Sequence, residues 1–271
     1  MGVIVEGGRI RDLSDAGWAS LDVLWQASDP MACLGEALRG RLTDHSPGDI
    51  EWLAPVDAQE VWAAGVTYLR SKTARMEESE FSATAYDRVY EAERPELFFK
   101  AMPAKVVGPG QPVAVRRDSA WTVPEPELAL VLNPRGEVVG YTVGNDMSAR
   151  DIEGDNLLYL PQAKIYTGSC ALGPWMVLGP DETAARAWTI GVRIRRGGGE
   201  VFAGQTEVGR LKRRFADLAA WLFRAQAFPH GAVLLTGTGV VPPDDFSLQA
   251  GDEVEIEVSG IGQLINPVVV V

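Results

Sequence analysis

The sequence predicts an α+β protein that is mainly β, with a small N-terminal α/β unit followed by one larger unit. Short apolar runs separated by glycine and proline dominate the chain after residue 57, and they are typical of strands. Helical spacing of apolar residues is confined to a few segments. The length of 271 residues suits one large domain with an appendage. We therefore expect an N-terminal unit of residues 1–57 and a main unit of residues 58–271.

The predicted elements follow this division. A short strand in GVIVEGG and two helical pieces, around 18–26 and 31–42, form the first unit. Helical patterns interrupt the second unit over 71–92 and 208–227. The first of these is highly charged, so residues 69–92 form either a mobile lid or a solvated surface helix. The predicted strands of the main unit are VWAAGVTY, KVVGPGQPVAV, ELALVLN, VVGYTVGND, CALGPWMVLG, TIGVRIRRGGG, AVLLTGTGVV and DEVEIEVSGIGQLINPVVVV.

The overall charge limits the classes of partner. A formal net charge of -12 repels nucleic acid and anionic membranes, so we expect neither as a partner. The distant Cys33 and Cys170 favour neither a disulfide nor a zinc site. The N-terminus lacks a signal-peptide pattern, and no run approaches the about 20 apolar residues that span a bilayer. We expect a soluble cytoplasmic protein, in which a small anionic ligand requires a local positive centre.

Two glutamates lie two positions apart in the run WTVPEPELALVL. Side chains at i and i+2 of a strand point to the same face, so Glu125 and Glu127 are expected to project together. A hard divalent cation such as Mg²⁺ or Ca²⁺ relieves their mutual repulsion if that face is buried. The alternative is a pair on the solvent face of a strand. Pro124 and Pro126 remove two backbone donors, which predicts an irregular or edge strand.

A third carboxylate, Asp146, ends the run VVGYTVGND. The tight turn NPRGE connects this run to the strand that carries the glutamates, so a hairpin would bring the ends together. An Asp at this position can alternatively cap a helix or form an Asx turn. Together the three carboxylates predict a divalent metal site, with Mg²⁺ expected and Mn²⁺ or Ca²⁺ as alternatives.

Other polar residues lie where they can serve such a site. Lys164, between apolar runs, suits a base or a cation that binds a carboxylate; a surface lysine is the alternative. The run LLTGTGVV offers the hydroxyls of Thr236 and Thr238 and backbone N–H groups, such as that of Gly237, although a plain turn has the same composition. Further candidates, each with an ordinary structural alternative, are Glu96 as a second base, Phe98 as a pocket residue and Arg70 as a substrate-binding cation.

Over nearly all of 58–271 the chain contains, in order, the blocks GVTY, RPELFFK, VPEPELALVL, GYTVGNDMSARDIE, YLPQAKIYTGSCALGP, LLTGTGVV and GDEVEIEVSGIGQLINPV. In this order they resemble the fumarylacetoacetate hydrolase superfamily. The resemblance implies a mixed β-roll domain that is often dimeric or higher, so we expect a homodimer or homotetramer. It also implies a divalent metal held by Glu125, Glu127 and Asp146, a catalytic or substrate-orienting Lys164, and contact between Thr238 and the substrate carboxylate.

One departure from the superfamily bears on the reaction. Hydrolytic members carry a GxNYxxHxxE pattern whose His and Glu activate water, whereas this chain reads GVTYLRSKTA, with Ser71 and Ala74 at those places. Its two histidines, His45 and His230, are expected to be structural or exposed. A branch of 2-keto-3-deoxy-pentonate dehydratases shares longer blocks: AGVTY, AYDRVYEAERPELFFK, NDMSARDIEGDN, LYLPQAK and SCALGP.

The resemblance therefore implies a Mg²⁺-dependent dehydratase of a small 2-keto acid, 2-keto-3-deoxy-D-arabinonate or -xylonate, in oxidative pentose catabolism. The metal would polarise the C2 carbonyl, and Lys164 or Glu96 would take a C3 proton. Loss of the C4 hydroxyl and a second dehydration or tautomeric step would give 2,5-dioxopentanoate. The alternatives are a hydrolase or decarboxylase of an acylpyruvate or 2,4-diketo acid, and a non-catalytic metabolite-binding protein.

Overall fold

The computed structural model describes residues 1–68 and 87–271. Arg70, Ser71, Ala74 and residues 69–86 of the predicted lid lie outside the described residues. Residues 87–91, at the end of that segment, are helical.

The secondary structure confirms the predicted mainly-β, α+β class. No helix among the described residues is long and apolar enough to cross a membrane. The strands are β1 (Gly2–Ile4), β2 (Ile10–Asp12), β3 (Asp44–His45), β4 (Glu60–Gly65), β5 (Glu96–Ala101), β6 (Val113–Val115), β7 (Thr122–Val123), β8 (Pro126–Leu132), β9 (Val138–Asp146), β10 (Ser148–Ala149), β11 (Cys170–Leu178), β12 (Thr189–Arg196), β13 (Gly199–Glu207), β14 (Ala232–Leu235), β15 (Glu253–Val258) and β16 (Gly262–Val270). The labelled α-helices are α1 (Asp22–Gln26), α2 (Pro30–Ala37), α3 (Arg150–Asp155), α4 (Leu160–Lys164), α5 (Glu182–Arg186) and α6 (Phe215–Phe223).

Two large sheets form the main unit. One has the order β11-β9-β8-β14-β4-β5 and the other the order β13-β12-β15-β16-β6. A hydrophobic core joins one face of each sheet and includes Leu130, Ile190 and Leu264. Burial of these apolar faces removes them from water and is the main source of stability.

The six-stranded sheet curls into a roll. The chain that follows β5 reaches the opposite edge strand, where Val107 pairs with Ala171 of β11 through an isolated bridge. The amide of Val107 donates to the carbonyl of Cys170 at 3.0 Å, and the amide of Leu172 donates to the carbonyl of Val107 at 3.1 Å. Small apolar side chains from both edges, such as Ala101 and Cys170, share one buried cluster. Elements that are distant in the strand order therefore meet inside the roll.

The strand that carries Glu127 lies in the interior of this sheet. Because β8 pairs with β9 on one side and β14 on the other, the edge alternative of the prediction is wrong. The strand is irregular only at its far end, where its register with β9 shifts between Val131 and Leu132. Pro126 is the first residue of β8 and Pro124 precedes it, so neither removes a donor that the ladder needs. Main-chain pairing even extends past Pro126, since the amide of Asp146 donates to the carbonyl of Glu125 at 3.0 Å.

Some elements differ from their sequence patterns. The run LLTGTGVV leaves the sheet after Leu235, and Gly237 adopts a left-handed backbone with φ of 93°. The helix expected over 208–227 is replaced by a 3₁₀ turn and α6, because the buried Leu211 is extended and interrupts it. Strand β13 is an addition to the predicted set, since its side chains are mostly exposed and carry little apolar alternation.

The N-terminal segment packs against the end of the roll opposite to Glu125. Trp25 is fully buried and shares an apolar cluster with Val131 and Leu178, which lie near the ends of β8 and β11. His230 Nδ1 lies 2.7 Å from Asp22 Oδ2, which agrees with a structural role for this histidine. The boundary at residue 57 stays a prediction.

Gly231, in the turn before β14, offers a test of this packing. It has φ of 74°, and a Cβ there would lie 2.1 Å from the main-chain oxygen of Leu132, whereas Gly251 has φ of 89° and open space around its Cβ position. We expect Gly251→Ala to cost about 1–2 kcal/mol for the left-handed backbone. We expect Gly231→Ala to cost more, because a main-chain atom cannot move aside as a side chain can. Urea unfolding followed by circular dichroism measures both, and equal losses would contradict the predicted clash.

Candidate metal centre

Three carboxylates meet where β8 begins and β9 ends. Glu125 directly precedes β8, Glu127 is its second residue, and Asp146 is the last residue of β9. The antiparallel register pairs Pro126 with Asn145, which places the start of one strand beside the end of the other. All three acidic residues are buried, and one oxygen of each lies within 4.8 Å of the others. The hairpin thus produces the juxtaposition that the sequence predicts.

Buried cations surround these carboxylates. Lys164, at the end of α4, donates from Nζ to Oε2 of Glu125 at 2.6 Å and to Oδ2 of Asp146 at 3.2 Å. Arg150, the first residue of α3, donates from Nη2 to Oε1 of Glu125 at 2.7 Å. Lys100 of β5 forms an ion pair with Oδ1 of Asp146. Each cation compensates charge that would otherwise be strongly destabilising in the protein interior.

Glu127 differs from its two neighbours in its electrostatic environment. Its Oε2 accepts a hydrogen bond from the amide of Gly237 at 2.5 Å. Burial raises the pKa of Glu127 well above its usual range, and the charges of Asp146 and Glu125 raise it further, against the hydrogen bond from Gly237 and the charge of Lys164. The cluster therefore favours a proton or another cation at this carboxylate.

Only glycine fits at position 237, where the main chain approaches the carboxylate of Glu127. Besides its positive φ, a Cβ there would lie 2.0 Å from Oγ1 of Thr67. The Thr67 hydroxyl itself donates to the carbonyl of Thr236 at 2.6 Å. The turns after β4 and β14 thus interlock and hold the Gly237 amide against Glu127.

A small cavity opens beside the carboxylates. One side of its wall is formed by Ala64, Gly65, Val66 and Phe98. The other side is polar and includes the three carboxylates, the Arg150 guanidinium and the Thr238 hydroxyl. Val66 has φ of 53°, which is unusual for a β-branched residue and is typical of strained functional segments. A concave site in which charged groups converge beside an apolar side suits a small polar ligand.

The sequence-predicted substrate and base residues lie at different distances from this cavity. Phe98 lines it, and the centre of its ring lies 5.8 Å from Nζ of Lys164. Thr238 also lines it, and its Oγ1 donates to the carbonyl of Val240 at 3.0 Å. Glu96 is half-buried, with its carboxylate over Gly65, and does not belong to the cavity wall. Its role as a base stays a prediction, and Arg70 lies outside the described residues.

Arg150 and Lys100 were not among the sequence candidates. Arg150 lies four residues after Asp146, where a helix turns back toward the strand end. Lys100 shares a strand face with Glu96 and Phe98, and a lysine in the buried half of the run ELFFKA is a signal for a buried ion pair.

The donor set fits a hard divalent cation. Carboxylate oxygens are the ligands that Mg²⁺ prefers, and usually only one or two protein carboxylates bind it, with further positions left for substrate and water. The ammonium of Lys164 lies between Oε2 of Glu125 and Oδ2 of Asp146, so these oxygens already converge on a cation. Mg²⁺ bound there would compete with that ammonium for the same two oxygens.

Comparison with known proteins gives relatives with related activities. The chain is 49% identical to "Probable 2-keto-3-deoxyxylonate dehydratase" of Haloferax volcanii, over 80% of this chain and 74% of the relative. It is 40% identical to "2-dehydro-3-deoxy-D-arabinonate dehydratase" of Saccharolobus solfataricus, over 92% of this chain and 86% of the relative.

A solved structure and a family description agree with these relatives. The structure "2-keto-3-deoxy-D-arabinonate dehydratase complexed with magnesium and 2,5-dioxopentanoate" has a TM-score of 0.82 and 34% identity, and the match covers 100% of this chain and 94% of that chain. The family "Fumarylacetoacetate (FAA) hydrolase C-terminal" matches residues 60–269. The chain therefore belongs to the fumarylacetoacetate hydrolase family.

Proposed function

We propose that this protein is a Mg²⁺-dependent dehydratase that converts a 2-keto-3-deoxy-pentonate to 2,5-dioxopentanoate in oxidative pentose catabolism. The observation that carries the proposal is the buried trio of Glu125, Glu127 and Asp146 beside a small cavity, in a chain 40% identical to a protein named for this reaction. The proposed metal ligands are these three residues.

The names of the two relatives agree on the substrate. Oxidation at C2 and deoxygenation at C3 leave C4 as the one stereocentre of a 2-keto-3-deoxy-pentonate. D-arabinonate and D-xylonate share the configuration at C4, so in the D series both names describe one compound. The product has no stereocentre, and it differs from the substrate by a single water. A tautomeric step, not a second dehydration, therefore balances the reaction.

The site supplies the electrostatics that such a reaction needs. A bound Mg²⁺ supplies Lewis-acid polarisation of the C2 carbonyl. Lys164 and Arg150 add positive charge beside the place where negative charge develops as a C3 proton leaves. The Thr238 hydroxyl lies at the cavity wall and would bind the carboxylate of the substrate by turning its O–H away from the carbonyl of Val240.

Two residues are candidates to take the C3 proton. Lys164, which contacts two of the three carboxylates, is the first, and its amine must be neutral to accept the proton; Glu96 is the second. Once that proton has left, the C4 hydroxyl departs with a proton as water and leaves a C3–C4 double bond. Transfer of a proton from C5 to C3 and tautomerisation of the resulting C5 enol then give the aldehyde.

Assembly and location extend the proposal. A homodimer or homotetramer and a cytoplasmic location, both expected from the sequence, stay predictions.

Phe98 would pack against the carbon chain of the substrate, and Arg70 stays a candidate for binding its carboxylate or hydroxyls.

Product analysis tests the reaction. The metal-loaded protein is incubated separately with the two enantiomers of 2-keto-3-deoxy-pentonate, and products are followed by NMR. We expect 2,5-dioxopentanoate from the D enantiomer and no product after EDTA treatment. Pyruvate and a two-carbon aldehyde would indicate carbon–carbon cleavage, and tight binding without product would indicate a binding protein; either outcome would contradict dehydration.

The variant Glu127→Gln tests the proposed coordination. It keeps the size of the side chain but removes the charge. We expect kcat/KM to fall by more than the about 10- to 100-fold loss that is typical when a residue that only orients a metal ligand is replaced. Glu36→Gln, on an exposed position of α2, is the matched control and should leave kcat/KM unchanged. Mg²⁺-dependent turnover that survives Glu127→Gln would show that the assigned ligand set is wrong.

The raised pKa of Glu127 predicts how pH affects the metal-free protein. Its folded-state pKa lies above the unfolded value of about 4.5, so the native state retains a proton that the unfolded chain releases. This stabilisation is full below the unfolded pKa and is lost as pH rises through the folded pKa. Urea unfolding of EDTA-treated protein measures the unfolding free energy at about pH 5 and about pH 7. From the lower to the higher pH, the natural protein should lose more unfolding free energy than Glu127→Gln. Equal losses in the two proteins would contradict a raised pKa of Glu127.

A further inference from the structure

Lys100 is fully buried beside the carboxylates but does not belong to the cavity wall. Its Nζ donates to the carbonyl of Met147 at 3.0 Å and to the carbonyl of Lys164 at 2.6 Å. It also forms the ion pair with Oδ1 of Asp146. An ammonium group has three N–H donors and no acceptor, and protein atoms surround it here. Its three donors meet the carbonyls of Met147 and Lys164 and Oδ1 of Asp146, so Lys100 is placed to hold neighbouring groups.

Each of the three carboxylates is held through one of its oxygens by a protein donor that approaches from outside the cluster. A donor on one oxygen occupies part of its lone-pair capacity and turns the other oxygen toward the centre of the cluster, which favours binding of a metal ion through one oxygen. The three contacts are Arg150 Nη2 to Glu125 Oε1 at 2.7 Å, the Gly237 amide to Glu127 Oε2 at 2.5 Å, and Lys100 Nζ to Asp146 Oδ1.

We propose that Lys100 is a positioning residue that restricts Asp146 to one-oxygen coordination and thereby favours Mg²⁺ over Ca²⁺. The inference rests on the metal site of the proposed function. Mg²⁺ requires near-ideal octahedral geometry with single oxygens, whereas Ca²⁺ takes about six to eight oxygens and often both oxygens of one carboxylate. Because the Lys100 ammonium lies against Oδ1, a metal ion that chelated Asp146 would be repelled at that oxygen by a buried positive charge. Chelation by Asp146 is therefore disfavoured, and the site offers less to the larger ion.

The same contacts fix the direction of the remaining oxygen. Oδ2 of Asp146 faces Nζ of Lys164, which also contacts Oε2 of Glu125. The hydrogen bond from Lys100 to the carbonyl of Lys164 holds the end of α4 against β9. If each carboxylate gave one oxygen to a six-coordinate ion, about three positions would be left for oxygens of substrate and water.

Titration calorimetry of metal-free protein with MgCl₂ and with CaCl₂ tests the inference. Lys100→Met removes the charge but keeps an unbranched side chain of similar length. We expect Mg²⁺ affinity to fall by about 10- to 100-fold and Ca²⁺ affinity to fall less, so that the ratio of the two dissociation constants shifts toward Ca²⁺. The exposed Lys105→Met is the matched control and should keep the natural ratio. Parallel losses for both ions would show a merely structural role and overturn the proposal.

A measurement on the natural protein decides the case if Lys100→Met does not fold. Mn²⁺ has the same octahedral preference, and pulsed EPR in D₂O counts the exchangeable waters on bound Mn²⁺ without substrate. We expect about three waters if all three carboxylates bind through one oxygen. Two or fewer would mean that a carboxylate chelates and would overturn the proposal. Failure of the proposed function would give a different result. Mn²⁺ would then bind Glu127→Gln as tightly as the natural protein, or the natural protein would show no turnover.

Discussion

The mutual repulsion of three buried carboxylates is the constraint on which the rest of the site depends. When all three are ionised, their charge is matched by Lys100, Lys164 and Arg150. A further buried acid, Glu153, accepts a hydrogen bond from Ser148 at 2.9 Å. The cations come from β5, α3 and α4, so these elements can pack against the β8–β9 hairpin only with their charges paired. Removal of one partner would leave an uncompensated buried charge, which is strongly destabilising.

The sheet topology explains why the polar groups share one edge of the roll. β4 runs parallel to β14, and β8 runs antiparallel to β14 and β9. The ends of β4, β9 and β14 therefore lie at the same edge as the starts of β5 and β8. This edge collects the strained turn at Val66, the Gly237 amide and the carboxylates, while the opposite end of the roll is covered by the N-terminal segment. Strand interiors supply the rigid frame, and the residues at their ends supply the chemistry.

The parts of the site that the sequence could predict depend on local geometry. Glu125 and Glu127 follow from the period of a strand, and Asp146 follows from a hairpin with a short turn. The contact between Lys100 and Asp146 depends instead on closure of the roll, because β5 and β9 are not neighbours in the sheet. Closure involves pairing between distant segments, which periodicity cannot reveal. The edge-strand prediction failed for a related reason, since proline at a strand start is compatible with an interior strand.

Dehydration and hydrolysis place opposite demands on water. Hydrolysis needs a positioned and activated water, and the chain has Ser71 and Ala74 where the hydrolytic pattern has its His and Glu. Dehydration instead needs positive charge near the developing negative charge and walls that admit little solvent. The backbone of Gly65 and the side chains of Val66 and Phe98 form such walls. A divalent ion would give the cluster of four acids and three cations a net positive charge. That local charge lets a protein with a net charge of -12 bind an anionic keto acid.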